Sequence, residues 1–152
     1  MPIKSFRGKA PDGAIETIHL STNDGSTGYR ITKFEAMGAE PGTEAFESIL
    51  QIFSVPQTTA SAAVDFSNQE LLGVAIIAGN AAAFNYPYSQ VIIFDNRVFN
   101  QDVYLTHNNT VGAGTDTGAN WHIEMEQIKL SLDENTVATL KDIRNVAPPT
   151  SV

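Results

Sequence analysis

The sequence predicts a mainly β protein, an antiparallel β-sandwich of jelly-roll type with one C-terminal α-helix. Three observations predict it. Short runs in which apolar and polar residues alternate recur along the chain, each bounded by Gly, Pro, Asn or Asp. Helical spacing does not alternate with these runs, as a parallel α/β fold would require. A clear helical pattern with its own start signal enters only after residue 131. About eight short strands in a chain of this length suit a sandwich.

Ile3 to Gly8 reads as a first strand, ended by the turn signal Pro11-Asp12-Gly13. Ile15 to Leu20 alternates, with Ile15, Thr17 and His19 opposite Glu16, Ile18 and Leu20. Asn23-Asp24-Gly25 then marks a turn before the run Tyr29 to Glu35, and the pair reads as a hairpin. After a loop carrying Pro41, Ala45 to Val55 is a strand that Pro56 ends; Phe46, Ile49 and Phe53 also fit helical spacing. Ser61 to Phe66 and Leu71 to Ala78 are further strands. The second is apolar almost throughout, as in a strand buried on both faces. An aromatic loop with Phe84, Tyr86, Pro87 and Tyr88 leads to the strand Gln90 to Asp95, and Gln101 to His107 follows.

A glycine-rich loop, Asn108 to Asn120, precedes Trp121 to Leu132, the longest expected strand. There Trp121, Ile123 and Met125 share one parity while Ile128, Leu130 and Leu132 take the other. A β-bulge near Gln127 would bring both sets to one side, and passage between two partner layers is the alternative. Ser131 and Glu134 have capping-box spacing. Val137, Leu140 and Ile143 form an apolar stripe, and Lys141 and Arg144 complement the negative end of the helix dipole. The helix is expected over 132–145, with Asn145 as cap and Pro148-Pro149 blocking continuation. The organisation is therefore an N-terminal arm at 1–10, a sandwich domain at 11–145 and an extended tail at 146–152.

Composition narrows the function. The chain has 152 residues, 42% hydrophobic and 17% charged, with a net charge of −8. That is enough apolar matter for one core. The charge density is low, as expected where an assembly covers part of the surface. Nine basic residues are scattered apart from the cluster Lys4, Arg7 and Lys9, which argues against nucleic acid as a ligand. The absence of cysteine removes disulfides, thiolate metal sites and cysteine nucleophiles. No signal peptide is visible at the N-terminus, and the longest apolar stretch, Leu71 to Ala83, is too short and too broken by Gly73, Gly79 and Asn80 to span a bilayer.

Motifs for chemistry are few. His107 and His122 flank the long loop, and with Glu124 they could form a metal site if a hairpin joined them, although ordinary polar strand positions explain them as well. Gly112, Gly114 and Gly118 lead into a strand, so the helix N-terminus of a dinucleotide site is missing. Asp95, Asp102, Glu124 and Glu126 are the only carboxylates on adjacent expected strands from which an acid pair could come. Asn108-Asn109-Thr110 matches a glycosylation sequon. No catalytic residue, cofactor or metal site is assigned, and the chain is expected not to be an enzyme. Phe84, Tyr86 and Tyr88 suit an interface anchor, a carbohydrate platform or a cap on the sandwich.

Two segments, IFDNRVFNQDVYLTH (Ile93 to His107) and WHIEMEQIKLSLDENTVATLKDIRN (Trp121 to Asn145), resemble small virion structural proteins of marine tailed bacteriophages. Gln51 to Ile76 shares the likeness more loosely. The resemblance brings no catalytic motif. It implies a particle component, either a capsid decoration (cement) protein on the capsid surface or a tail-associated piece, made in the host bacterial cytoplasm. The implied partners are the major capsid protein or other virion proteins and further copies of the chain, a trimer being favoured, with no nucleic acid and no membrane. Lys4, Arg7, Lys9, Phe84, Tyr86, Tyr88, Pro148 and Pro149 are the expected contact residues. The rival readings are a tail or neck component, and a host-surface or carbohydrate-binding module using Tyr86, Tyr88 and Trp121.

Overall fold

The computed structural model describes residues 2–20, 26–40, 45–79, 88–94, 97–111 and 118–130. They form eight strands: β1 (Ile3–Ala10), β2 (Ile15–Ile18), β3 (Thr27–Gly38), β4 (Phe46–Phe53), β5 (Leu71–Gly79), β6 (Tyr88–Ile93), β7 (Val103–Asn109) and β8 (Ala119–Lys129). All pairings are antiparallel. One sheet has three strands in the order β1-β8-β3, the other five in the order β2-β7-β4-β5-β6.

The pairing follows one pattern. First pairs with last (β1 with β8), second with seventh (β2 with β7), and the middle two with each other (β4 with β5). The chain is a nested hairpin whose first four strands fall alternately on the two sheets, while β4 to β7 all lie in the larger one. The expected mate of β3 would be β6, but β6 pairs with β5 instead. Only beyond β6 does the chain reach β3, through an isolated bridge in which Tyr29 and Phe99 exchange backbone hydrogen bonds of 2.7 and 2.9 Å.

One core lies between the sheets. The three-stranded sheet contributes Ile31, Phe34, Trp121, Ile123 and Met125, and the five-stranded sheet Leu50, Ile52, Leu72, Ala75, Ile77, Val103 and Leu105. Ile52, Val103, Leu105, Ile123 and Met125 are fully buried. Each such side chain favours the folded state by roughly 1.5–3 kcal/mol through apolar burial.

Several expectations need correction. Ile15–Leu20 and Tyr29–Glu35 do not form a hairpin, because β2 pairs with β7 and β3 with β8, in different sheets. The bulge is not near Gln127. Residues 119–129 of β8 pair in unbroken register, and the extra residue is Thr32 on the facing strand β3, between Ile31 and Lys33. The physical reason lies in β3 itself: Tyr29 and Ile31 are buried at odd positions, Phe34 at an even one, so one inserted residue brings both sets to the core. β3, with 12 residues, is also longer than β8, with 11. The helix expected over 132–145 and the tail at 146–152 lie outside the described residues.

Ser61 to Phe66 is not a strand. Residues 54–70 run irregularly over the outer face of the five-stranded sheet, where Val64 packs on a small second core of Phe53, Leu71 and Val74. Polar side chains hold this strap. Gln51, buried on β4, donates from Nε2 to the Ser61 and Ala63 carbonyls at 3.1 Å each. Asn108 of β7 donates to the Ala60 carbonyl at 2.8 Å. Arg97 donates to Ser54 Oγ and to the Gln69 carbonyl, tying both ends together. A segment whose carbonyls accept from side chains has no ladder partner to make it a strand. Asp65 accepts from the Ser67 backbone and hydroxyl at 3.0 and 2.6 Å, and these bonds hold its carboxyl below the ordinary range.

Gln51→Ala removes the donor of two strap carbonyls while sparing the ladder. It is expected to lower stability by about 1–3 kcal/mol in urea unfolding and to make 54–70 the first site of limited proteolysis. Because the folded Asp65 titrates below its ordinary value of 3.8, its support of the turn is complete above that pH and lost as pH falls below it. Amide exchange at Ser67 is therefore expected to accelerate at acid pH in the wild type, with little such pH dependence in Asp65→Asn.

Candidate functional site

The central strand of the three-stranded sheet sorts the side chains. Odd residues of β8 (Ala119, Trp121, Ile123, Met125) face the core, and even ones face outward. Registers on both sides place Ile3, Glu126 and Arg30 in one outward row. Ser5, Glu124 and Lys33 form the next, then Arg7, His122 and Glu35, then Lys9, Asn120 and Met37. Four cations against three carboxylates leave this face at +1, so the rest of a chain whose total is −8 carries −9.

The charges differ in engagement. Arg30 pairs with Glu126 across the β3–β8 ladder. Lys33 and Glu35 approach to 3.6 Å, both exposed, a contact worth little in water. Arg7 and Lys9 are exposed and form no ion pair among the described residues. Lys4 is set apart from them: it has the inward parity of β1 and its Nζ stands 5.9 Å from the centre of the Tyr29 ring. Of the expected contact residues, the structure thus brings Arg7 and Lys9 together on one strand face. Tyr88 belongs to β6, paired with Ala78. Phe84, Tyr86, Pro148 and Pro149 lie outside the described residues.

Beside this face, between β3 and the β5–β6 edge, opens a cleft of about 1100 Å³. Phe46, Ile77, Val91, Ala36, Met37 and Trp121 line it, with Arg7, Lys9, Asn120 and Ser89 among its polar neighbours. Glycine shapes it. A Cβ on Gly8 would stand 2.8 Å from the Trp121 ring, and one on Gly38 or Gly79 2.8 Å from the Phe46 ring. These aromatics therefore lie flat on bare backbone. Trp121 also donates from Nε1 to Glu16 Oε2 of β2 at 3.2 Å, joining the two sheets at one corner. With 7% exposure it offers no open ring face for stacking a sugar. Sequence reading missed the cleft; the small residues Gly8, Ala36 and Gly38 on core-facing positions were its only trace.

The other candidate groups are dispersed. His107 is buried on β7 and His122 lies on the outer face of β8, so the set His107, His122 and Glu124 is split between two sheets. No cluster of three or more His, Cys, Asp or Glu suited to a metal occurs among the described residues. The Nδ1 of His107 stands 2.9 Å from the Ala10 carbonyl, which can only accept, so Nδ1 carries a proton; Nε2 stands 2.9 Å from Ser48 Oγ. A serine beside an oriented histidine has the outline of a nucleophile and base. Here both are essentially buried and line no described cleft, and they tie β1, β4 and β7 together.

Asp102, just ahead of β7, accepts from the Leu20 amide at 2.8 Å and from His19 at 3.1 Å, away from Glu124 and Glu126 in the other sheet. Burial, and then the charge of Asp102, pushes the Tyr104 hydroxyl above its ordinary range. Asp95, Gly112 and Gly114 lie outside the described residues. Gly118 has φ 109°, with the Ala10 carbonyl 2.9 Å from where a Cβ would sit, which reserves the position for glycine. The sequon amide of Asn108 is the one that holds the strap.

Comparison with family models, curated proteins and solved structures finds no match. The functional reading therefore rests on the chain's own residues and their geometry.

Gly8→Ala forces the Trp121 ring off β1. The expected outcome is a loss of about 1–3 kcal/mol, the usual cost of overpacking, with a red-shifted emission from Trp121, the only tryptophan. Fluorescence-monitored urea unfolding measures both.

Proposed function

We propose that this chain is a virion structural protein, a capsid decoration (cement) protein that stabilises a phage shell through multivalent protein–protein contacts. The observation that carries the reading is the pairing order. An eight-strand nested hairpin whose outer pairs, β1–β8 and β2–β7, lie on different sheets supports a jelly-roll reading, here with β6 kept on the larger sheet. The outer face of the three-stranded sheet carries the exposed Arg7, Lys9, Lys33 and Glu35, which a neighbour could contact.

The segments that resemble virion proteins support the same view by what they hold in place. Within Ile93 to His107, Phe99 closes on β3, Arg97 ties the strap and Asp102 caps the end of the β2 segment. Trp121 to Lys129 is the central strand of the charged face. The likeness thus covers residues that build the frame.

In this reading the Arg7–Lys9 face is the contact surface and its partner an acidic patch of the major capsid protein. Each contact is modest. Copies held on a repeating lattice bind with avidity far above that of one contact, without new chemistry. Oligomerisation, with a trimer favoured, adds to the same effect. A tail or neck component would use the same face at lower copy number.

Mass spectrometry with copy counting on purified particles tests the reading. Hundreds of copies are expected for a decoration protein and a handful for a tail piece; absence from the particle refutes both. Arg7→Glu with Lys9→Glu is expected to weaken rebinding to stripped shells by one to two orders of magnitude at low salt. The difference should shrink as salt rises, because exposed charges are screened within about 8–10 Å.

A further inference from the structure

We infer that the cleft between β3 and β6 is a strand-acceptor slot, taking an extended, apolar, acid-flanked segment of another polypeptide by β-augmentation. The inference does not depend on the virion reading, since it follows from unused backbone groups.

Ladder alternation shows where those groups point. The Ala39 amide donates to the Gly118 carbonyl, so the residues of β3 that bond β8 are Lys33, Glu35 and Met37. Phe34, Ala36 and Gly38 then turn N–H and C=O away from β8, toward β6. The Phe94 amide donates to the Leu72 carbonyl, so Gln90 and Ile92 bond β5. Ser89 and Val91 turn theirs away from β5, toward β3. None of these five residues has a backbone partner on that side among the described residues. Two strand edges therefore face one another with donors and acceptors unspent. Beyond β6 the chain closes on β3 at the Tyr29–Phe99 bridge, and the cleft opens between the two edges further along β3.

The lining of the slot has the chemistry of a strand site. An added segment of about six residues spans ~20 Å. Alternate side chains of such a segment would meet Phe46, Ile77, Val91 and Trp121 on the floor. Arg7 and Lys9, exposed and outside any described ion pair, line the β1 side of the cleft and Glu35 its β3 side; two cations against one carboxylate favour an acidic flank directed toward β1. An exposed edge is otherwise protected by charge or proline. Phe34, Ala36, Gly38, Ser89 and Val91, whose backbone groups face the slot, supply neither; the charges of the β3 edge, Lys33 and Glu35, stand on the outer face and approach each other to 3.6 Å. The main chain gives such a complex its affinity, and the pockets give it selectivity.

The test uses the full chain and a synthetic peptide of about seven residues, alternating valine and threonine and ending in two aspartates. Trp121 emission is the readout, since the ring lines the cleft. A saturable shift is expected. An otherwise identical peptide N-methylated at alternate residues, which keeps the side chains but loses the donors, is expected to bind at least about tenfold more weakly. Ala36→Pro removes one N–H on the slot side and none on the β8 side, and is expected to weaken binding similarly while leaving thermal unfolding cooperative. Equal binding of the methylated peptide overturns the inference even if the proline variant fails to fold, and so does the absence of any saturable shift with the unmodified peptide.

Discussion

Strand β8 is the constraint on which the rest of the molecule depends. It lies between β1 and β3, so its odd residues satisfy their backbone groups with β1 and its even residues with β3. The same parity sends Trp121, Ile123 and Met125 into the core and His122, Glu124 and Glu126 outward. One strand thus fixes two registers, half of the core and the whole charged face. A one-residue slip would exchange core and surface along its length, which is why the adjustment falls on β3, where the bulge at Thr32 reconciles two parities without disturbing β8.

The charged face and the cleft share this origin. Arg7, Lys9, Arg30 and Lys33 come from strands distant in sequence, and only pairing to a common neighbour sets them side by side. The cleft arises where the nested pairing is incomplete. β6 stays with β5, β3 keeps a bare edge, and Gly8 and Gly38 let the Trp121 and Phe46 rings lie close against the strands that border it. Unspent hydrogen-bonding groups and unpaired charges are what a partner could satisfy.

The buried polar groups show the opposite economy. Gln51, Asn108, Arg97 and His107 would each be costly inside a sheet protein without partners. Buried Gln51 and half-buried Asn108 hold the irregular strap against strands, half-buried Arg97 ties the ends of the strap, and buried His107 joins strands β1 and β4. His107 illustrates how a residue type associated with metals or catalysis can serve as a brace. Its two nitrogens join Ala10 to Ser48.

The sequence by itself determined the class of structure: recurrent period-two runs, turn residues between them, and one near-continuous apolar run at Leu71 to Ala78 that became an interior strand. It also placed Arg7 and Lys9 on a common strand face, because alternation is a local property of the chain. Tertiary structure alone decided which strand pairs with which. It separated the apparent hairpin of β2 and β3 into two sheets, moved the bulge from β8 to β3, turned Ser61 to Phe66 into a strap and split His107 from His122. The reason is physical. Side-chain parity is written residue by residue, whereas a strand's partner is set by closure of a long chain around one core, where every candidate edge competes and the burial of the whole decides.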